Sequence, residues 1–307
     1  MLNKKIRKKI GLEKYLNPSH KFIDTPEHCK KISIDVGLSD TAPHTGIWLA
    51  NDPERCVVGI EPLEHHWEGL RGERDYSCID ESSRWPVVRL NKNSVIFNNE
   101  EICQITNSSA PGASHKFFGL SCAIDNISKP AQKKFYHMYE PGTSSLLKPT
   151  DKHSSAIKKI ETVQCVSLQD ILDYIDWEKF KVIEHLKVDC EGNDFEVLKS
   201  VGKYLEKIIF ITCEASAHNV GHWHQQADRL DIFHWMRDKG FGCFSHDGGD
   251  AIFINEKISS LSNRSKGMGW IENMGLPRGM LVVLPTDPFV YYSEPIFRAT
   301  LKKRDDP

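Results

Sequence analysis

The chain has 307 residues, 40 Lys and Arg against 42 Asp and Glu for a net charge of −2, and 39% hydrophobic side chains. That is the mix of a globular protein with a real core, and it excludes a disordered, fibrous or membrane-embedded chain. The near-neutral charge counts against nucleic acid and is consistent with a small or glycan-like substrate. Nine cysteines, scattered without a Cys-x-x-Cys pair, fit neither a disulfide framework nor a zinc ribbon and predict a reducing, cytoplasmic setting.

The lead, residues 1–30, is basic and predicted helical where Leu2, Ile6 and Ile10 recur every fourth residue among lysines. It lacks the apolar run of a secretory signal, and no stretch reaches the ~20 apolar residues of a membrane span. Its lysines read as a solvated face; contact with an anionic membrane surface or another domain is the alternative. Next come short apolar runs at 31–37, 56–62, 118–125, 185–192 and 207–214, separated by helical stretches. A helix over 227–239, ended by Gly240, precedes two final runs at 241–244 and 250–255, with a hairpin turn between them. Continuous apolar strands joined by helices predict an α/β fold with a mostly parallel sheet covered on both faces. Ligands in that architecture bind at the carboxyl ends of strands, where Asp35, Glu61 and Asp189 fall.

Two connections are long. The first holds a predicted hairpin, 86–90 and 94–98, turned by Asn91, Lys92 and Asn93. The second holds a strand at 134–138, a turn-rich stretch at 140–147 and a helix whose Ser167 and Asp170 give it a cap-like start. Loops of this length usually carry function, so substrate selection is placed there. The expected organisation is a lead of 1–30, a catalytic domain of 31–255 with insertions at about 71–117 and 126–165, and an extension of 256–307 without legible chemistry.

The chemistry concentrates at strand ends. Asp35-Val36-Gly37 is a turn where a glycine permits close approach of backbone to a ligand, but neither a Gly-x-Gly-x-x-Gly nor a phosphate-cradling loop is present. This argues against a nicotinamide oxidoreductase. Glu61, before Pro62, is placed to accept hydrogen bonds from vicinal ribose hydroxyls. Asp189 and Glu191, two apart, share one side of an extended chain and meet at the mouth of the sheet, and Gly192 lets the chain turn into a helix. Such a pair can activate a hydroxyl, hold a divalent ion or orient substrate, or Glu191 or Asp194 can simply cap the helix. His218, His222 and His224 follow the fifth strand; they read as a candidate base, a candidate zinc or iron site, or plain surface.

Taken in order, Asp35-Val-Gly37, Glu61-Pro62, Gly142-Thr-Ser-Ser-Leu146, Val166-Ser-Leu-Gln-Asp-Ile-Leu172, Leu186-Lys-Val-Asp-Cys-Glu-Gly192 with Val197-Leu198, and Thr212-Cys-Glu214 resemble the FkbM family of S-adenosylmethionine-dependent methyltransferases. The resemblance implies a class I, Rossmann-like, doubly wound sheet of seven strands with the last antiparallel. It also implies O-methylation of a hydroxyl on a sugar or small molecule. By position, Asp35, Val36 and Gly37 would line the methionine and ribose of the cofactor, and Glu61 and Pro62 its ribose. Cys122, Ala123 and Asp125 would lie by the adenine. Asp189 and Glu191 would face the transferred methyl and the acceptor, with His218 or His222 as a further candidate base. One departure is visible. The family continues after the first glycine with Ala-Asn and a second glycine, whereas this chain has a longer loop whose next glycine is Gly46. A methyltransferase-like scaffold without catalysis is therefore the competing expectation.

Overall fold

The computed structural model describes residues 1–40, 42–70, 116–140, 142–216, 222–246, 249–258, 281–282 and 290–291. The hairpin expected within 86–98 lies outside these residues, as do His218 and most of the extension.

Seven strands form one sheet: β1 (Lys31–Val36), β2 (Arg55–Ile60), β3 (Phe117–Leu120), β7 (Ile183–Val188), β8 (Ile208–Glu214), β9 (Phe241–His246) and β10 (Asp250–Asn255). Their spatial order is β3-β2-β1-β7-β8-β10-β9. Neighbours from β3 to β8 pair in parallel, while β10 runs antiparallel to both β8 and β9. The order reverses beside β1, so the carboxyl ends of β1 and β7 flank the switch point where crevices open in such sheets.

The two faces differ because side chains alternate along each strand. Ile32, Ile34 and Val36 of β1 join Val58, Leu186, Val188 and Ile211 in the main apolar core. This face is covered by α4 (Leu168–Leu172), α5 (Asp194–Ser200) and α6 (Arg229–Asp238), and by α1 (Lys4–Lys9) at the amino terminus. Each fully buried aliphatic side chain contributes about 1.5–3 kcal/mol. On the opposite face α2 (Pro43–Asn51) and α3 (Glu64–Leu70) enclose a smaller cluster that includes Trp48, Val57, Trp67 and Phe117. Between these lie the buried polar side chains Ser33, Asp35, Arg55, His185, Lys187 and Thr212.

The lead packs on its own sheet. Leu2 and Ile10 are buried in the main core, Ile6 lies against it, and Lys4, Lys5, Lys8 and Lys9 face solvent. Helix α4 begins with a complete capping box: Ser167 accepts from the Asp170 amide, and the Asp170 carboxylate accepts from the Ser167 amide. Helix α6 starts at Asp228, whose side chain accepts from the Leu230 amide, and the chain leaves it through Gly240 at φ +89°.

The run 118–125 is two strands, not one. It breaks after Leu120 because the Ser121 amide donates to the Ile10 carbonyl, 3.0 Å away on the lead. The chain then enters a second sheet of order β4-β6-β5, made of β4 (Ala123–Ile124), β5 (Ala131–Met138) and β6 (Ile157–Val166). This small sheet holds the strand expected at 134–138 and stands beside the strand ends of the large one. Its inward residues Phe135, Val163 and Cys165 pack with Leu63 and Ala123.

Candidate active site

At the carboxyl ends of β1, β2 and β7 lies a cleft that is open at its mouth. Its floor is Val36 and Gly37, one side is Ile60, Glu61 and Pro62, and the other is Asp189, Cys190 and Glu191. Cys122, Ala123 and Ile124 close the end nearest the small sheet. Phe135, Gly142, Ser144 and Leu146, all from the insertion, form a roof.

Gly37 is required by the junction of two strands. Its φ is +84°, and a Cβ there would stand 1.9 Å from the Asp189 carbonyl oxygen. The close approach lets the Asp189 amide donate to the Val36 carbonyl at 3.0 Å, and the Gly37 amide donate to Ile60 at 2.9 Å. The two loops that line the cleft are thereby fixed to each other.

Glu61 is buried and held on three sides. Its Oε2 accepts from the Ser39 amide at 3.1 Å, its Oε1 accepts from the Leu63 amide at 2.8 Å, and His66 Nδ1 stands 3.0 Å from Oε1. A carboxylate offers about four lone pairs, so capacity remains for a ligand hydroxyl. Ser39 belongs to the departing loop; with φ +57° it brings its amide under Glu61. The glycine floor and the carboxylate on the second strand fit a nucleoside-bearing cofactor.

Asp189 projects at the mouth with its side chain 52% exposed. Glu191, with φ +51°, and Gly192, with φ +87°, form a left-handed turn, a conformation that costs a non-glycine residue about 1–2 kcal/mol. Ser145, fully buried, donates its hydroxyl to the Glu191 carbonyl at 2.8 Å and so ties the roof to this turn. Burial, with the nearby charges of Asp189, Glu214 and Asp194, pushes the Glu191 carboxyl up to about 9 against the opposing indole hydrogen bond of Trp223. The shift favours the protonated form of Glu191. Burial raises Glu214 in the same direction, against the hydroxyl of Ser216. Asp194, raised well above the ordinary range by burial, works structurally by accepting from the Gly192 and Glu214 amides at 3.2 Å each.

Of the candidate residues, Val36, Gly37, Glu61, Pro62, Cys122, Ala123, Asp189 and Glu191 line the cleft. Asp35, Asp125 and His222 lie off its wall. Asp35 Oδ2 accepts from the Thr45 hydroxyl at 2.6 Å and amide at 3.2 Å, and its Oδ1 is 3.4 Å from Lys187 Nζ, all beneath the floor. Asp125 turns to Lys133 and to the Asn126 amide. His222 is exposed, with Nδ1 2.8 Å from His153 Nε2. Among the described residues no group of three or more His, Cys, Asp and Glu side chains is placed to hold a metal ion.

Sequence reasoning held Lys187 only as part of the Leu186–Gly192 motif and missed its role, the roof residue Phe135, and Ser39 with His66 on Glu61. The signal for Lys187 was its place two residues before Asp189, on the same strand face. The part played by the Gly142–Leu146 stretch comes only from the fold of the insertion.

A doubly wound seven-stranded sheet with one antiparallel strand and a glycine-floored cleft beside paired acids defines a Rossmann-like methyltransferase fold. Residues 48–243 match the methyltransferase FkbM domain, more than half of the chain. The chain belongs to that family and is a methyltransferase. No curated protein and no solved structure matches it.

Proposed function

We propose that the protein is an S-adenosylmethionine-dependent O-methyltransferase acting on a hydroxyl of a small molecule or glycan, with residues 31–255 as its catalytic unit. The observation that carries this reading is the single cleft in which the ends of β1, β2 and β7 present Gly37, Glu61 and Asp189 together. S-adenosylmethionine, the usual donor of the family, supplies a methyl group on a positively charged sulfur. In this reading Val36 and Gly37 meet its methionine and ribose, Glu61 accepts from the ribose hydroxyls, and Cys122 and Ala123 flank its base.

Methyl transfer to oxygen needs an in-line approach, a dry site and a group that takes the acceptor proton. Asp189, exposed at the mouth, is the base of this proposal. Glu191, held up to about 9 by burial and neighbouring acids, keeps its proton at neutral pH; it orients the acceptor by donating a hydrogen bond. His222 faces His153 and serves neither role. Phe135 and Leu146 give the roof an apolar lining above the cleft.

Calorimetry with S-adenosylmethionine and its demethylated product tests the cofactor, and transfer of labelled methyl to a panel of sugars and small alcohols tests the chemistry. Binding in the micromolar range with label on oxygen is expected. No binding at high micromolar concentration would return the chain to a scaffold role, and label on nitrogen or carbon would overturn O-methylation.

A further inference from the structure

Lys187 occupies an unusual place for a lysine. It stands in the middle of the sheet with its side chain 5% exposed. Strands β1 and β7 run parallel in a register that sets Asp35 beside Lys187, and alternation puts Asp189 on the same side two residues on. Its ammonium donates to the Gly37 carbonyl at 2.6 Å and lies 3.4 Å from Asp35 Oδ1 and 3.3 Å from Asp189 Oδ2. The ammonium thus has a hydrogen-bond partner in the cleft floor and an ion-pair partner on each side of it, Asp35 below the floor and Asp189 at the mouth.

We infer that Lys187 is a positioning residue that locks the cofactor turn after β1 to the acceptor-facing acid after β7, so that Gly37 and Asp189 keep one fixed relation in the cleft. This rests on the methyltransferase reading for what the cleft holds, and on geometry alone for the lock. Two further observations agree with it. Burial lowers the affinity of Lys187 for its proton, but Asp189 and Asp35 outweigh burial and the net shift is upward, so the cation persists at any working pH. The Gly37 carbonyl is also held where no side chain can intervene, because the glycine sits 1.9 Å, measured from a built Cβ, from the Asp189 backbone.

A purely structural role, in which Lys187 only neutralises the buried Asp35, makes a different forecast. Lys187→Met alone leaves the Asp35 charge buried without its cation and is expected to lower the melting temperature. The double variant Asp35→Asn with Lys187→Met removes both charges and is expected to melt close to wild type. If Lys187 positions the cleft, the double variant still binds S-adenosylhomocysteine about tenfold or more weakly than wild type, the equivalent of one lost charge-assisted hydrogen bond. Recovery of both melting temperature and affinity overturns the proposal. Should wild type bind no cofactor, the methyltransferase reading fails on its own, and hydrogen exchange of the ligand-free proteins decides this one. Faster exchange at segments 36–40 and 188–192 in the double variant supports the lock, and unchanged exchange there overturns it.

Discussion

Replacing Gly37 by alanine isolates the contact on which the cleft floor depends. The backbone at Gly37 has φ +84°, and the new Cβ would meet the Asp189 carbonyl oxygen at 1.9 Å. The left-handed conformation alone costs a residue with a Cβ about 1–2 kcal/mol. Relief of the clash requires the β1 and β7 ends to part by more than an ångström, which gives up the Asp189 to Val36 hydrogen bond and the Lys187 to Gly37 one. At about 1 kcal/mol for a neutral bond and about 1.5–3 for a charged one, the sum is about 4–6 kcal/mol. In a domain of this size that corresponds to a fall in melting temperature of about 10–20 °C. Gly142 is the internal control: it has nearly the same φ, +82°, and nothing within 4 Å of a built Cβ. Gly142→Ala is expected to lose only the conformational part, about 1–2 kcal/mol and a few degrees. Thermal melts of the three proteins by circular dichroism read this directly. Equal shifts for the two alanine variants would refute the argument from close approach.

Other expectations follow from the site. Asp189→Asn should abolish methyl transfer while calorimetry still shows cofactor binding; undiminished turnover removes Asp189 as the base. Glu61→Gln should weaken S-adenosylhomocysteine binding by about tenfold or more, since an amide cannot accept on both of its polar atoms, and unchanged affinity would place the ribose elsewhere. Glu191 has a folded pKa raised above its unfolded value to about 9. It therefore contributes stability that is full below its ordinary carboxyl range and is lost as pH rises through the folded value. The melting temperature should fall between about pH 5 and 9, and Glu191→Gln should flatten that slope; a parallel slope in the variant would mean that Glu191 does not titrate there.

Much of the sheet was legible because a strand buried on both faces has to be mostly apolar. The runs containing Ile32 to Val36, Val57 to Ile60 and Ile208 to Cys213 met that condition. The third run misled for the same reason: Phe118 to Ile124 is apolar almost throughout, and the break after Leu120 depends on a hydrogen bond to Ile10, more than a hundred residues earlier. Acids at strand ends were legible as candidate ligands, yet sequence cannot tell which carboxylate is already engaged. Asp35 and Asp125 are buried against Lys187 and Lys133, whereas Asp189, which also pairs with Lys187, keeps an exposed side. Lys187 stood within the Leu186–Gly192 motif, but its role escaped notice because a lysine in a strand reads as solvent-facing unless its partners on other strands are known.

The small three-stranded sheet has a consequence for how such an enzyme is retargeted. It supplies the roof of the cleft and its three strands form a sheet separate from the seven-stranded one, so residues 123–166 form a natural cassette. Exchange of that cassette between family members would renew the acceptor-facing surface and leave the seven-stranded frame intact. Several seams limit the exchange: Ser145 must still reach the Glu191 carbonyl, Asn126 must still meet Glu196, and Lys148 and Thr150 must still bond to the backbone of His224 and His222. A chimaera that keeps them should fold with its parent's cofactor site and its donor's choice of substrate.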